Sequence, residues 1–228
     1  MMKFNKNDRA IVDDGMSSKL IEGAELDGPW GIPIIKKPSK YIIPENLVPF
    51  SRRNRASEKD AICFHEYDIV FADVLIHPEK YVNEFRGRII LSPDFSLYRN
   101  APFGTQILNV YRNRVIGAYF QRNGANVIPL IRWGSSLTYS ISAASSARVA
   151  FLGAEKHGIY AISTYGCIKT KQDKVVFKAG LKAMIETLEP EIVLVYGSMP
   201  DEVFKDFKER TIFICYPNWI AKRHGGKH

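Results

Sequence analysis

Three cysteines in 228 residues, Cys63, Cys167 and Cys215, are too few and too far apart for a disulfide framework, and none forms a C-x-x-C pair. That argues against a stapled secreted fold and against a structural zinc site. Long apolar runs are also missing. No stretch approaches the roughly 18–20 residues of a membrane helix, and the opening MMKFNKNDRAIVDD lacks the apolar centre of a secretory signal. These absences predict a cytoplasmic chain with no membrane partner. Several chemical signatures are missing as well: G-x-G-x-x-G, G-x-x-x-x-G-K-[ST], H-E-x-x-H, G-x-S-x-G and the zinc deaminase pattern. The scarcity with most to say is of acid. Residues 86–182 hold only Asp94, Glu155 and Asp173 against 14 basic side chains, a net of +11 in a chain whose total is +8. Positive charge gathered in one stretch attracts polyanions, and a basic surface also simply keeps a protein soluble.

What is present fits one folded domain. Hydrophobic content of 46% and charged content of 25% are ordinary for a globular chain, and the length suits one well-buried core. From residue 60 onward, short apolar runs alternate with helical periodicity. Strands are predicted at Asp60–Phe64, Arg88–Ser92, Asn126–Trp133, Gly158–Thr164, Glu191–Gly197 and Thr211–Tyr216. Helices are predicted over Thr105–Gly124, with Thr105 as N-cap, and over Lys171–Leu188, closed by Pro190. Two short helices precede the second strand, with Pro78 opening one of them. Pro129 places the third strand at an edge or a bulge, and Ser140–Gly153 reads as either helix or loop. The expectation is an α/β fold with a mostly parallel six-stranded sheet under covering helices, either doubly wound or a partial or small β/α barrel. Residues 1–57 read as an irregular N-terminal arm, 58–220 as the α/β domain and 221–228 as a basic tail.

In parallel α/β folds ligands sit beyond the carboxyl ends of the strands. Here those ends deliver His65, Glu66 and Asp68, then Ser92 and Asp94, then Arg132 and Trp133, then Thr164, Tyr165 and Lys169, and then Tyr196. Arg132, Lys169 and Arg112 are candidates to meet phosphate. Trp133, Tyr165 and Tyr196 are candidates to frame a base or sugar, although aromatics also close such ends as plain packing. Ser92, Asp94 and Thr164 offer orienting hydrogen bonds. Arg112 and Arg114 leave their helix about 200° apart, so one of them reaches the sheet, with Asp94 as its candidate partner. Asp94 and His65 are the candidate catalytic pair. With Glu66 and Asp68, His65 is also a candidate ligand of a divalent metal. Cys63 and Cys215, inside apolar strands, are expected to be inert.

An ordered series of short motifs carries a resemblance. Gly31-Ile32-Pro33 comes first, then Leu91-Ser92-Pro93-Asp94-Phe95-Ser96-Leu97-Tyr98. Tyr111-Arg112-Asn113-Arg114 is next, with Gly117 and Gln121, then Val127-Ile128-Pro129 with Trp133, Ser163-Thr164-Tyr165-Gly166 and Val195-Tyr196-Gly197. Over about Gly31 to Pro200 the chain resembles the phage- and plasmid-borne family named domain of unknown function 4417. The resemblance implies an origin in phages or other mobile elements and implies no activity. The resulting expectation is a mobile-element protein that binds a nucleic acid or nucleotide at the carboxyl edge of its sheet. The alternatives are a metal-assisted phosphoester hydrolase or nuclease, and a protein inhibitor of a host factor.

Overall fold

A computed structural model of the chain describes residues 18–219 apart from Ala144. The basic tail 221–228 and the first part of the arm lie outside the described residues. A short helix α1 (Ser18–Ile21) and an antiparallel pair, β1 (Leu26–Asp27) and β2 (Ile32–Pro33), come first. Then come β3 (Leu47–Pro49), β4 (Ala61–Cys63), α2 (Asp68–Ile76), α3 (Val82–Phe85), β5 (Ile89–Leu91), α4 (Phe103–Arg122) and β6 (Asn126–Ile128). The chain continues with β7 (Ile159–Ser163), α5 (Lys171–Leu188), β8 (Ile192–Tyr196), α6 (Asp201–Phe204) and β9 (Ile212–Tyr216).

All six predicted strands form, and the fold is α/β with parallel pairing, but they do not make one six-stranded sheet. β3-β4-β5-β6 is a four-stranded parallel sheet, and β7-β8-β9 is a three-stranded one. The extra strand is β3, which lies inside the stretch expected to be irregular. Pro129 marks the break between the sheets. It has no N–H for a ladder, and the strand stops at Ile128. Contact resumes through a single parallel bridge, Leu130 to Ala161, where Ala161 N donates to Pro129 O at 2.9 Å and Ile131 N donates to Ala161 O at 2.8 Å.

Neither sheet reverses its strand order, so the switch point of a doubly wound sheet is missing from both. Side chains from all seven parallel strands instead meet in one interior cluster. Leu47, Ala61, Leu91, Ile128, Ala161, Leu194 and Tyr216 represent the strands in turn. The opposite faces are covered by helices. Ile62, Ile90 and Val127 pack with Phe71 of α2 and with Val115 and Phe120 of α4. Tyr160, Ile162, Val193 and Val195 pack with Leu181 and Met184 of α5 and Phe204 of α6. Burial on both faces explains why the strands read as unbroken apolar runs rather than as alternation.

The two long helices form for different reasons. α5 has a capping box: Asp173 N donates to Thr170 Oγ1 at 3.1 Å, and Thr170 N donates to the Asp173 carboxylate at 3.0 Å. Phe177, Leu181, Met184, Ile185 and Leu188 make its buried stripe at three- and four-residue spacing. α4 starts two residues earlier than predicted. Its N-cap position is Pro102, and Thr105 lies inside the first turn. Ser140–Gly153 is not a helix; among its described residues there are turns, bends and one short 3-10 turn at Val149–Phe151.

Candidate functional site

The loops after β5, β6 and β7 enclose a cavity of about 450 Å³. Asp94, Tyr98 and Arg99 come from the first loop, Arg132 and Trp133 from the second, and Ser163, Gly166 and Cys167 from the third. The start of α5 closes one wall with Asp173 and Phe177. Trp133 rests against Phe177 with ring centroids 4.9 Å apart, and it approaches α5 where Gly180 leaves room: a Cβ at Gly180 would stand 2.1 Å from Trp133 Nε1.

Asp94 is the electrostatic centre. Arg132 Nη1 donates to both of its carboxylate oxygens, at 2.8 and 2.7 Å. His65 Nδ1 lies 3.0 Å from Oδ2. Burial pushes the Asp94 carboxyl up, but the Arg132 charge and the bond to His65 outweigh it, so the group stays below the usual carboxylate range. Asp94 in turn raises the Arg132 guanidinium, against the opposing effect of burial. Burial raises the Cys167 thiol, 3.7 Å from Arg132 Nη2, although Arg132 opposes the shift. A raised thiol is a poor nucleophile at neutral pH. Behind Asp94 the imidazole of His65 stacks on Tyr196, centroids 4.4 Å apart, and Tyr165 meets Tyr196 edge-on at 6.1 Å. Burial holds the Tyr196 hydroxyl up at about 12.

The residues singled out by sequence therefore divide. Asp94, Arg132 and Trp133 line the cavity. His65, Tyr196 and Tyr165 form the stacked series beside it. Ser92 is fully buried and structural: its hydroxyl donates to Asn113 Oδ1 and accepts from Leu130 N, both at 2.8 Å. Thr164 ties two strand ends together by donating to Ser198 O at 2.8 Å. Lys169 is exposed on the loop before α5. Arg112 does not reach Asp94; its Nη1 bonds to Asn109 Oδ1 on its own helix at 3.1 Å. The carboxylate expected to anchor α4 is thus held by Arg132 instead. Arg114 anchors the helix through main-chain carbonyls, those of Leu130, Ala150 and Leu152, at 2.8–3.1 Å.

The proposed metal set does not converge. Glu66 accepts from Ser51 N at 2.9 Å and from Ser51 Oγ at 2.6 Å, and Asp68 accepts from Ser96 N and Oγ at 3.2 and 2.9 Å. Among the described residues no group of three or more His, Cys, Asp or Glu side chains is placed to hold a metal ion. Arg99 and Asp173, which pair across the cavity wall, were not among the sequence candidates. The only signal for them was the rarity of acid in that stretch.

The basic stretch is also less bare than its charge suggests. Lys178 pairs with Asp206 at 2.5 Å, Lys174 with Glu202 and Lys156 with Glu189. Arg88 and Arg122 bond to main-chain carbonyls. No helix among the described residues is long and apolar enough to cross a membrane.

Comparison with known proteins places the chain. Residues 24–217 match the family described as Domain of unknown function (DUF4417). The Gene 1 protein of Mycobacterium phage D29 is 32% identical over 168 residues, covering 72% of this chain and 59% of that protein. The Gene 1 protein of Mycobacterium phage L5 is 32% identical over 160 residues, covering 70% and 66%. The chain thus spans about three fifths of the length of the first relative and about two thirds of the second. No solved structure matches it. With its matched region running from before β1 to the end of β9, the chain belongs to the DUF4417 family, which has mycobacteriophage proteins among its relatives.

Proposed function

We propose that this phage-related protein binds a phosphate-bearing ligand, a nucleotide or a nucleic acid, in the cavity at the carboxyl ends of β5, β6 and β7. One observation carries the reading: two arginines from successive strand-end loops, Arg99 and Arg132, stand in the wall of one cavity beside Tyr98, Trp133 and Phe177. Guanidinium groups suit phosphate through paired N–H donors, and aromatic walls suit a base. Arg132 is pre-positioned by Asp94, so little order is lost when an anion arrives. Lys169, exposed on the loop before α5, and Lys171, exposed at the first position of α5, add positive charge to the segment that follows the third loop. Arg112, on α4, is not in that wall and has no part in the reading.

The test is a titration of the full chain with ATP and with a short single-stranded oligonucleotide, monitored by Trp fluorescence. Binding is expected to weaken as salt rises from 50 to 300 mM, with a slope that reports the phosphates engaged. Arg132→Gln is expected to weaken it about 10-fold or more, the scale of one charge-assisted bond. Affinity that is flat in salt and indifferent to Arg132→Gln rejects the reading.

A second reading, a protein-binding module acting on a host factor, is favoured by one feature. Tyr67 and Ile69, at the start of α2, are 83% and 82% exposed, with Val70 and Ile76 also exposed on the same helix. A photocrosslinker at Ile69, introduced in bacterial cells, is expected to capture one defined partner under that reading and none under the first.

A further inference from the structure

His65 Nε2 is a buried polar atom with no hydrogen-bond partner among the described residues. The side chain is 2% exposed. Its Nδ1 faces Asp94, an ionised carboxylate that only accepts, so the neutral imidazole carries its proton on Nδ1 and presents a lone pair at Nε2. Asp94 is itself fixed by Arg132, and both line the cavity. The imidazole is further held flat against Tyr196. Orientation by a carboxylate, a free acceptor nitrogen and an adjacent cation make up the apparatus of general-base catalysis.

We propose that His65 is the proton acceptor in hydrolysis of a phosphoester seated on Arg132. The proposal rests on the ligand reading above and deepens it. A water oxygen attacks phosphorus and gives its proton to Nε2 as the bond between phosphorus and the ester oxygen breaks. The departing oxygen takes up a proton from solvent and the imidazolium, stabilised by Asp94, gives its own back to solvent, so water is consumed and an alcohol and a phosphate are released. Arg132 offsets the charge on the phosphoryl oxygens. Asp94 acts as a positioning residue. Nε2 is buried in this structure, beside the cavity rather than in its wall, so the reaction requires the neighbouring rings of Tyr196 and Tyr165 to shift before water reaches it.

The experiment uses the full chain with bis(p-nitrophenyl) phosphate and with a 5′-labelled oligonucleotide. Turnover of at least one probe is expected. His65→Gln, whose amide can still donate to Asp94, is expected to lower the rate by about 100-fold or more, with oligonucleotide binding by the folded variant retained. Added imidazole is expected to restore part of the rate to His65→Ala, and Asp94→Asn is expected to shift the pH profile. Wild-type protein that binds the oligonucleotide yet hydrolyses neither probe overturns this inference and leaves the ligand reading standing. So does a His65→Gln variant as active as wild type. Loss of binding altogether removes both.

Discussion

Asp94 concentrates the cost and the use of the site in one side chain. It is 4% exposed and charged, which folding tolerates only because Arg132 and His65 meet it. Its carboxyl lies below the usual range in the folded chain. The stabilisation it brings is therefore complete above the ordinary carboxylate value of about 4 and is lost as pH falls through the lower folded value. Removing one partner of a buried pair is severe, so Asp94→Asn is expected to cost about 3 kcal/mol at pH 7, measured by urea unfolding. The gap to wild type is expected to shrink below about pH 4, where the wild-type carboxylate also loses its charge. A constant difference across that range means that the pair contributes no charge-dependent stability. Arg114 illustrates another solution to a buried charge. Burial lowers its guanidinium to about 10, yet the group is spread over three main-chain carbonyls and its neighbour Asn113.

At the scale of elements, α4 fits the rest only because of one missing methyl group. A Cβ at Gly117 would stand 2.4 Å from Ile35 Cδ1 and 2.9 Å from Ser92 Cβ. Alanine is the better helix former by about 1 kcal/mol, but overpacking costs about 1–3 kcal/mol. Gly117→Ala is therefore expected to lower the unfolding midpoint. Gly104→Ala, in the same helix with nothing within 4 Å of the added carbon, is expected to be neutral or stabilising. If both variants behave alike, close packing is not what decides the matter.

The legibility of the elements has similar physical roots. α5 is readable to the residue because its apolar periodicity and the proline beyond its end agree, and the structure adds a capping box at its start. The six apolar strands are readable because both of their faces are buried, one in the shared interior cluster and the other under helices. β3 was not, because Leu47-Val48-Pro49 is three residues ending in a proline and owes its pairing to β4. Pro129 signalled a disruption, yet only the pairing shows that it divides two sheets rather than marking an outer edge. Among site residues, strand-end position pointed to Asp94, Arg132 and Trp133. It pointed as well to Ser92 and Thr164, whose hydroxyls are engaged within the fold, Ser92 with Asn113 and Leu130 and Thr164 with Ser198. It also gave Asp94 the wrong arginine, since helix angles say which side of α4 Arg112 leaves but not which loop Arg132 comes from.

Over the whole molecule, the charge of residues 86–182 is reshaped by contacts with later segments of the chain. Lysines of α5 meet acids of α6 and the turn after it, and in the cavity wall Arg132 and Arg99 meet Asp94 and Asp173, so much of the charge of the stretch is matched by pairs rather than spread bare over one face. The two ends of the strand series are linked by Tyr216 Oη, which donates to Pro44 O at 2.6 Å across 172 positions of sequence. Tyr216→Phe leaves that carbonyl unmet and is expected to cost about 1–2 kcal/mol. Calorimetry that shows an unchanged unfolding temperature counts against any stabilising role for this link.

Strand order carries a consequence for synthesis. Within each sheet every strand settles beside the one made just before it, and β7 meets the end of β6 at the Leu130–Ala161 bridge. A nascent chain can therefore add each strand to its predecessor as it leaves the ribosome, without holding an unpaired edge open for a distant partner. The joining of Tyr216 to Pro44 must wait until β9 has emerged.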